Sequence, residues 1–463
     1  MKTTKYYFIR TLNLAFLSMS ILFITACNGA GGNGIAQPSA QAAMKQTPTA
    51  QAVGNIKQAL SANATATEGT GVSIASDGSI YAIGYTNGVF PKSEQAQDNY
   101  YINKYSSSGS LLWSRQNGGK YGLMFGNGIN TDKNGNSYIV GYSALGNSTS
   151  YGYFVTKYSN NGDQLWMRLA GVVNNDTEGN GISTDADGNV YICGYTTVGI
   201  SGQHQNGRND YFIVKYSTDG QLLWARQVGA TNGSTGCSAI TVDSEGDSYI
   251  VGSTNVGISG QTQNGTYDYF IAKYSENGSI LWTKQVGAES GEADARGISA
   301  DGKGNIYITG FTNIEESGQI EKSGNSYFIA KYTTDGTTIW SKQVGVEGEF
   351  VYGYSVSNDL NGNVYITGTT STGLSGQTQN GFYDYFIAKY SESGSLIWSR
   401  QDGGYHGTAN GYGVGIDQQG NAYVDGTTSV ALSGQQQKGY FDYFVVKYSP
   451  TASPQWASQG GSI

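Results

Sequence analysis

Short runs of alternating apolar and polar residues recur along most of this chain, each four to seven residues long and bounded by Gly, Asn, Asp or Ser. In Asn305-Ile306-Tyr307-Ile308-Thr309-Gly310 and Tyr327-Phe328-Ile329-Ala330-Lys331-Tyr332 the period is two, and β-branched and aromatic residues dominate. No stretch after residue 26 has helical spacing. The pattern therefore predicts β-strands joined by tight turns.

The runs come in sets of four, designated A to D. All seven tryptophans lie in run D, at Trp113, Trp166, Trp224, Trp282, Trp340, Trp398 and Trp456, spaced by 53 residues once and then by 58 five times. A Lys-Tyr pair stands nine residues before each, from Lys104-Tyr105 to Lys447-Tyr448. Four-strand units that bury both faces against neighbours, repeated seven times, predict an all-β fold: a seven-bladed β-propeller with four antiparallel strands per blade. The blades are expected at about 69–118, 126–171, 179–229, 237–287, 295–345, 353–403 and 411–460. The A–B and C–D links are short and the B–C and D–A links long. In an antiparallel meander this puts all length variation at one end of the disc, the expected working face.

The N-terminus breaks the pattern. Lys2, Lys5 and Arg10 precede a 13-residue apolar run from Leu12 to Ile24, too short to span a bilayer and suited to an export signal. The run ends in Ile24-Thr25-Ala26-Cys27, which resembles the lipobox of bacterial lipoproteins. The resemblance implies cleavage after residue 26 and a lipid-bearing Cys27; Asn28 behind it leans toward the outer membrane. Residues 27–52 read as a flexible tether. Residues 53–68 are expected to be a lead-in, with 53–60 an orphan strand covering an exposed edge.

Composition narrows the function. Charged residues are only 13% and glycines number 69. Removing residues 1–26 leaves 23 basic against 34 acidic residues, a balance of −11, which argues against nucleic acid.

Gly-Asn-Val-Tyr-Ile-Thr-Gly at 362–368, Ser-Gly-Gln at 375–377, Asp-Tyr-Phe-Ile-Ala-Lys-Tyr at 384–390 and Leu-Ile-Trp-Ser-Arg-Gln at 396–401 resemble the SBBP family of bacterial seven-bladed β-propeller repeats. The resemblance implies a secreted or surface-attached propeller and carries no single activity.

Individual residues yield specific expectations. Each tryptophan is expected to wedge one blade onto the next with a cation over the indole. The strand-C lysines should pair within their blades with the A–B turn acids Asp132, Asp185, Asp243, Asp301, Asp359 and Asp417. One acid per turn is too few for calcium, so these residues are read as turn formers. Cys193 and Cys237 are expected to be buried thiols, although a disulfide is compatible with export. His204 and His406 are too few for a zinc site, and no nucleophile elbow or phosphate loop is present; no metal or cofactor is expected. The candidate ligand-binding residues lie in the repeated loop Ser-Gly-Gln-x-Gln-[Asn/Lys]-Gly: Gln203, Asn206, Gln261, Asn264, Gln377, Asn380 and Gln435, near Tyr267, Phe382, Tyr383 and Tyr440. The competing reading is that these amides bond to their own backbone. The expected function is a noncatalytic, monomeric binding or assembly scaffold at the cell envelope, for a protein partner or as an adhesin. The alternatives are a lectin-like module and a propeller enzyme with a central-channel site.

Overall fold

The computed structural model describes residues 66–88, 99–118, 123–146, 150–314 and 324–461, all within one unit, Thr65–Ile463. Cys27, the tether and the expected strand at 53–60 lie outside the described residues.

The described chain forms seven four-stranded antiparallel sheets and no helix. Blade 1 comprises strand A (Thr67–Ile74), B (Ile80–Thr86), C (Asn99–Tyr105) and D (Leu111–Asn117). The remaining blades span 124–170, 177–228, 235–286, 293–344, 351–402 and 409–460. Thr67 and Glu68, expected in the lead-in, belong to strand A, where Thr67 bonds across to Thr86. The A strands of successive blades pack on one another around the axis, and strand A of blade 1 packs on strands A, B and C of blade 7. The ring is closed. No strand is exchanged, because each blade is one continuous piece of chain.

The core lies in the seams. Seven apolar clusters each draw on two adjoining blades; Tyr191 and Ile213 of blade 3, for example, pack with Ile240 and Phe270 of blade 4. Two further ties repeat at every seam. A strand-C tyrosine of one blade meets the last strand-C tyrosine of the next, hydroxyl to hydroxyl, at 2.5–2.8 Å, as in Tyr211–Tyr274 and, closing the ring, Tyr443–Tyr105. Each tryptophan donates its indole N–H to a carbonyl in the next blade's C–D turn at 2.9–3.3 Å, with Trp456 reaching Ser107 of blade 1. The wedge itself holds for all seven, and the cation over the indole for three. Guanidinium groups stand over the indole in Arg115, Arg168 and Arg226, 5.4–5.6 Å from the ring centre. Lys284 stands over Tyr332 instead.

The lysine expectation holds only in part. Lys215–Asp185 (3.4 Å), Lys389–Asp359 (3.6 Å) and Lys447–Asp417 (4.0 Å) pair within their blades. Lys273 takes Asp247 at 2.9 Å, Lys331 crosses to Glu392 of blade 6 at 3.1 Å, and Lys104 and Lys157 reach Asn160 and Thr218 in the next blade's C–D turn. The cause is shared. All seven ammonium groups stand over the strand-B tyrosine ring, 4.7–5.3 Å from its centre. From there both the blade's own A–B turn and the next blade's C–D turn are in reach, and some lysines take both: Lys215 also meets Glu276 of blade 4 at 3.3 Å, and Lys447 meets Ser107 O of blade 1 at 3.2 Å.

Cys193 and Cys237 form a disulfide joining strand B of blade 3 to strand A of blade 4, with Cα atoms 5.8 Å apart. This corrects the expectation of free thiols. Adjacent blades bring these two strands together although 44 residues separate the cysteines.

Candidate functional site

The B–C loops of blades 3, 4, 6 and 7 have one conformation. Ser201 and Gly202 both have positive φ (49° and 80°), and the N–H of Gln203 bonds to the carbonyl of Ile200, closing a tight turn. Ser259, Ser375 and Ser433 repeat the left-handed φ at 48–50°. A non-glycine residue held this way costs of order 1 kcal/mol, so the surroundings must enforce it.

The enforcing group is a carboxylate that the sequence reading passed over. Asp210, the first residue of strand C and fully buried, accepts at Oδ1 from the N–H of Gly207 (2.7 Å). At Oδ2 it accepts from the N–H of Asn206 (2.8 Å) and the amide of Gln227 in strand D (2.9 Å). Gln227 in turn accepts from the N–H of Ile200 at 3.0 Å. The same four bonds recur on Asp268 with Gln285, Asp384 with Gln401, and Asp442 with Gln459. Gly229, Gly287, Gly403 and Gly461 follow strand D where any Cβ would strike the carboxylate. A signal was available: Asp before Tyr-Phe and Gln three residues after Trp occur together only in the four repeats with this loop.

The loop amides divide into two groups. Gln205, Gln263, Gln379 and Gln437 donate to the carbonyl two residues on, and Asn206 and Asn264 bond back to His204 and Thr262. These shape the loop. Among the described residues, the side chains of Gln203, Gln261, Gln377 and Gln435 make no hydrogen bond; Gln261 is exposed and the other three are half-buried at matching positions. Asn380 is exposed beside them, Tyr383 is buried, and Tyr267, Phe382 and Tyr440 are half-buried. His204 is an exposed loop residue. His406, at φ 57°, lies tilted against exposed Tyr405 and faces Phe382 at 5.8 Å.

The A–B acids form turns as expected. Asp132 Oδ1 accepts from the N–H groups of Asn134 and Asn136, and Oδ2 from the Asn136 amide and Tyr138. Blade 4 differs in carrying Asp243, Glu245 and Asp247, whose carboxylates lie within 4.8 Å of one another; Asp247 is held by Lys273.

The second feature on this face is the mouth of the central channel. The second residue of strand A and the residue after the strand-B glycine hold matching positions there in each blade, and they do not repeat. Blades 1 to 3 supply Glu68, Tyr85, Phe125, Tyr142, Glu178 and Tyr195, all half-buried. Tyr85 meets Phe125 edge-on at 5.0 Å, and Phe125 stacks face to face on Tyr142 at 4.9 Å. Tyr85 donates to Glu68 and Tyr195 to Glu178. Burial raises the Glu68 carboxyl above its ordinary range, with the Tyr85 bond opposing. Across the channel, Asp294 is bound by Arg296 at 2.7 Å, and that guanidinium stands over Phe311 at 5.6 Å. Burial also raises Asp294, against the pull of Arg296. Tyr354 and Tyr412 continue the aromatic wall, their ring centres 5.3 Å apart.

Comparison with known proteins agrees with this architecture. The β-propeller repeat model SBBP matches at residues 112–144, 165–200, 223–258, 281–315, 339–374 and 397–432. The chain is a seven-bladed β-propeller that carries six SBBP β-propeller repeats. Each match runs from strand D of one blade through strands A and B of the next. A seventh unit is split, its D strand at Pro454–Gly460 and its A and B strands at Thr67–Thr86. The regulatory protein FlaEY of Caulobacter vibrioides is 28% identical over 171 residues, 33% of this chain and 18% of that protein. An uncharacterized WD repeat-containing protein of Acanthamoeba polyphaga mimivirus is 23% identical over 408 residues, 65% of this chain and 29% of that protein. The chain thus spans less than a third of either relative. Solved structures of related shape include a streptogramin B lyase (TM-score 0.46, 12% identity, 77% of this chain and 89% of that one). Another is the propeller domain of the Trilobed protease of Pyrococcus furiosus (TM-score 0.44, 8% identity, 83% and 93%).

Proposed function

We propose that this protein is an exported, lipid-anchored propeller that acts as a noncatalytic scaffold, holding a protein partner on its long-loop face. The observation that carries the reading is the set of four clamped loops. A buried Asp and Gln fix each loop, and each presents one uncommitted glutamine amide at the same position. Rigid, repeated polar presenters lose little entropy on binding, and several weak contacts combine by multivalency. The disulfide fits an oxidising compartment, and Cys27 is the anchor that the lipobox resemblance implies. The relatives' names, a regulatory protein and a WD repeat-containing protein, suit a protein that works by binding.

The test is capture from envelope extract with the purified propeller and with Q203A/Q261A/Q377A/Q435A. One or more proteins held by the wild type should fall at least tenfold with the variant, which leaves every clamp bond in place. Equal capture by both removes the loops from the function. A parallel C27S chain should lose incorporation of labelled palmitate.

A second reading has one observation in its favour: Glu68, Glu178 and Asp294 hold the same strand-A position in blades 1, 3 and 5, where acids of a channel enzyme would stand. No activated nucleophile stands with them among the described residues, so the binding reading is preferred.

A further inference from the structure

Strand A, the innermost of each blade, carries a β-bulge at its fourth residue in all seven blades. In blades 1 to 3 the bulge side chain is spent on the next blade: Thr70, Asn127 and Asn180 donate to Gly126 O, Gly179 O and Cys237 O at 2.7–2.9 Å. Blades 5 to 7 hold Arg296, Tyr354 and Tyr412 at that place. Among the described residues none of these three bonds to the next blade's backbone.

The three form one contiguous arc. Arg296 stands over Phe311 at 5.6 Å, Phe311 meets Tyr352 edge-on at 4.9 Å, Tyr352 lies parallel to Tyr354 at 6.2 Å, and Tyr354 meets Tyr412 at 5.3 Å. Arg296 is close enough for its charge to act on the Tyr354 hydroxyl. Phe311 and Tyr352 are buried backing, and the Tyr352 hydroxyl takes the Asn325 amide at 3.0 Å. Tyr354 and Tyr412 are half-buried.

The ion pair in this arc is incomplete. Arg296 Nη2 donates to Asp294 Oδ2 at 2.7 Å, which leaves Arg296 Nε and Asp294 Oδ1 without a hydrogen-bond partner. The Ser253 hydroxyl of blade 4 lies near the carboxylate without closing a bond to Oδ1. Asp294 is buried, whereas the Arg296 side chain keeps 22% of its surface open. Buried polar groups are nearly always bonded, so an open donor and an open acceptor on two joined residues mark a place for a ligand.

The two open groups have opposite sense, and that selects the ligand. A cation would satisfy Asp294 and meet the charge of Arg296; an anion would satisfy Arg296 and meet Asp294 and Glu292, which senses both charges. Adjacent hydroxyls donate to one and accept from the other without any charge. The tyrosine rings beside the pair offer an apolar surface to the C–H face of a sugar ring.

We propose that the bulge arc of blades 5 to 7 binds a neutral pyranose sugar in the channel, its neighbouring hydroxyls bridging Asp294 and Arg296 and its C–H face on Tyr354 and Tyr412. The site stands apart from the scaffold reading, since it needs no loop glutamine and no protein partner.

The experiment is ligand-observed NMR, with saturation transferred from the full chain to methyl α-glucoside, methyl β-galactoside and methyl α-mannoside. At least one should receive saturation at its ring protons and bind independently of added salt, as an uncharged ligand does. The double variant D294G/R296S installs the blade 4 residues Gly236 and Ser238 at these positions and should abolish the transfer. Y354S copies Ser238 at the neighbouring bulge and should weaken binding by about tenfold or more. Tryptophan fluorescence, set by the indoles at the seams, checks that the ring of each variant is intact.

N-acetylglutamine amide carries the same donor and acceptor on a protein-like side chain and should not displace the sugar. Displacement at equal concentration reassigns the arc to a protein side chain and overturns the sugar. No transfer to any of the three sugars leaves the pair to water and overturns the site, as does binding undiminished in either variant.

Discussion

The seam between blades 3 and 4 and the seam between blades 7 and 1 are built on the same positions with opposite chemistry. In the first, Cys193 of strand B is bonded to Cys237 of the next blade's strand A. In the second, those positions hold Asp425 and Gly69, and a Cβ on Gly69 would lie 3.1 Å from Asp425 Oδ2. Other blades place Ile83, Val140, Val251, Thr309 or Thr367 where Asp425 stands. The apolar cluster is also smaller, with seven buried residues described at the closing seam against eleven at the disulfide seam. The disulfide reinforces a contact that chain continuity already favours. The closing seam joins strands some 350 residues apart with no covalent help, and it buries a carboxyl group as well. The ring is therefore strongest where it needs least help, and its stability should be set at the 7/1 seam.

Asp425 gives the largest expected effect. Burial pushes its pKa up to about 8, only partly offset by the backbone N–H groups of Gly71 and Gly413. In the unfolded chain the group titrates near its ordinary value of 3.8. The folded state therefore holds a proton that the unfolded state releases, and stability falls as pH rises from about 4 through about 8. Asp425→Thr copies blades 5 and 6, where Thr309 and Thr367 donate to the strand-C carbonyls of Phe328 and Phe386 at 2.7 Å. Urea unfolding of both chains at several pH values should show the variant gaining on the wild type by up to about 1.4 kcal/mol per pH unit across that window. Other buried acids are common to the two chains and cancel. Parallel curves would show that the carboxyl group is compensated and the closing seam is not the weak one.

The disulfide comes next. Cys193→Val with Cys237→Gly installs residues found at those places in other blades, such as Val251 and Gly353. The double variant should lose about 2–4 kcal/mol, with little dependence on pH. A loss under about 1 kcal/mol would sharpen the comparison, showing that global unfolding starts elsewhere and that the bond guards a seam which never limits stability.

These two seams also show what the sequence could reveal. The 58-residue period gives the blades, the turns and the tryptophan wedges, because each is written in every copy. Relations between blades are hidden. The Tyr211–Tyr274 bond spans 63 residues, and the Cys193–Cys237 pair becomes visible only once strand B of one blade is known to abut strand A of the next. The loop clamp was in view but disguised, since Asp210 and Gln227 read as the start of one strand and the end of another. The channel mouth is concealed for the opposite reason: Glu68, Glu178 and Asp294 occupy one strand position but do not recur in every blade, and a reading based on repetition discards them.

The smallest effect tests the wedge itself. Trp224 at the disulfide seam donates to Glu276 O at 2.9 Å and lies under Arg226, whereas Trp456 at the closing seam reaches Ser107 O at 3.3 Å and has Ser458 in the arginine's place. Phenylalanine keeps most of the ring contact and removes the N–H donor. Trp224→Phe should therefore cost about 1.5 kcal/mol, the bond and the cation contact together, and Trp456→Phe about 0.5 kcal/mol. Thermal or urea unfolding of the two variants under one set of conditions decides the order. If Trp456→Phe proves the more damaging, the long closing bond holds more of the ring together than its geometry implies, and the weakness assigned to the 7/1 seam must lie in Asp425 alone.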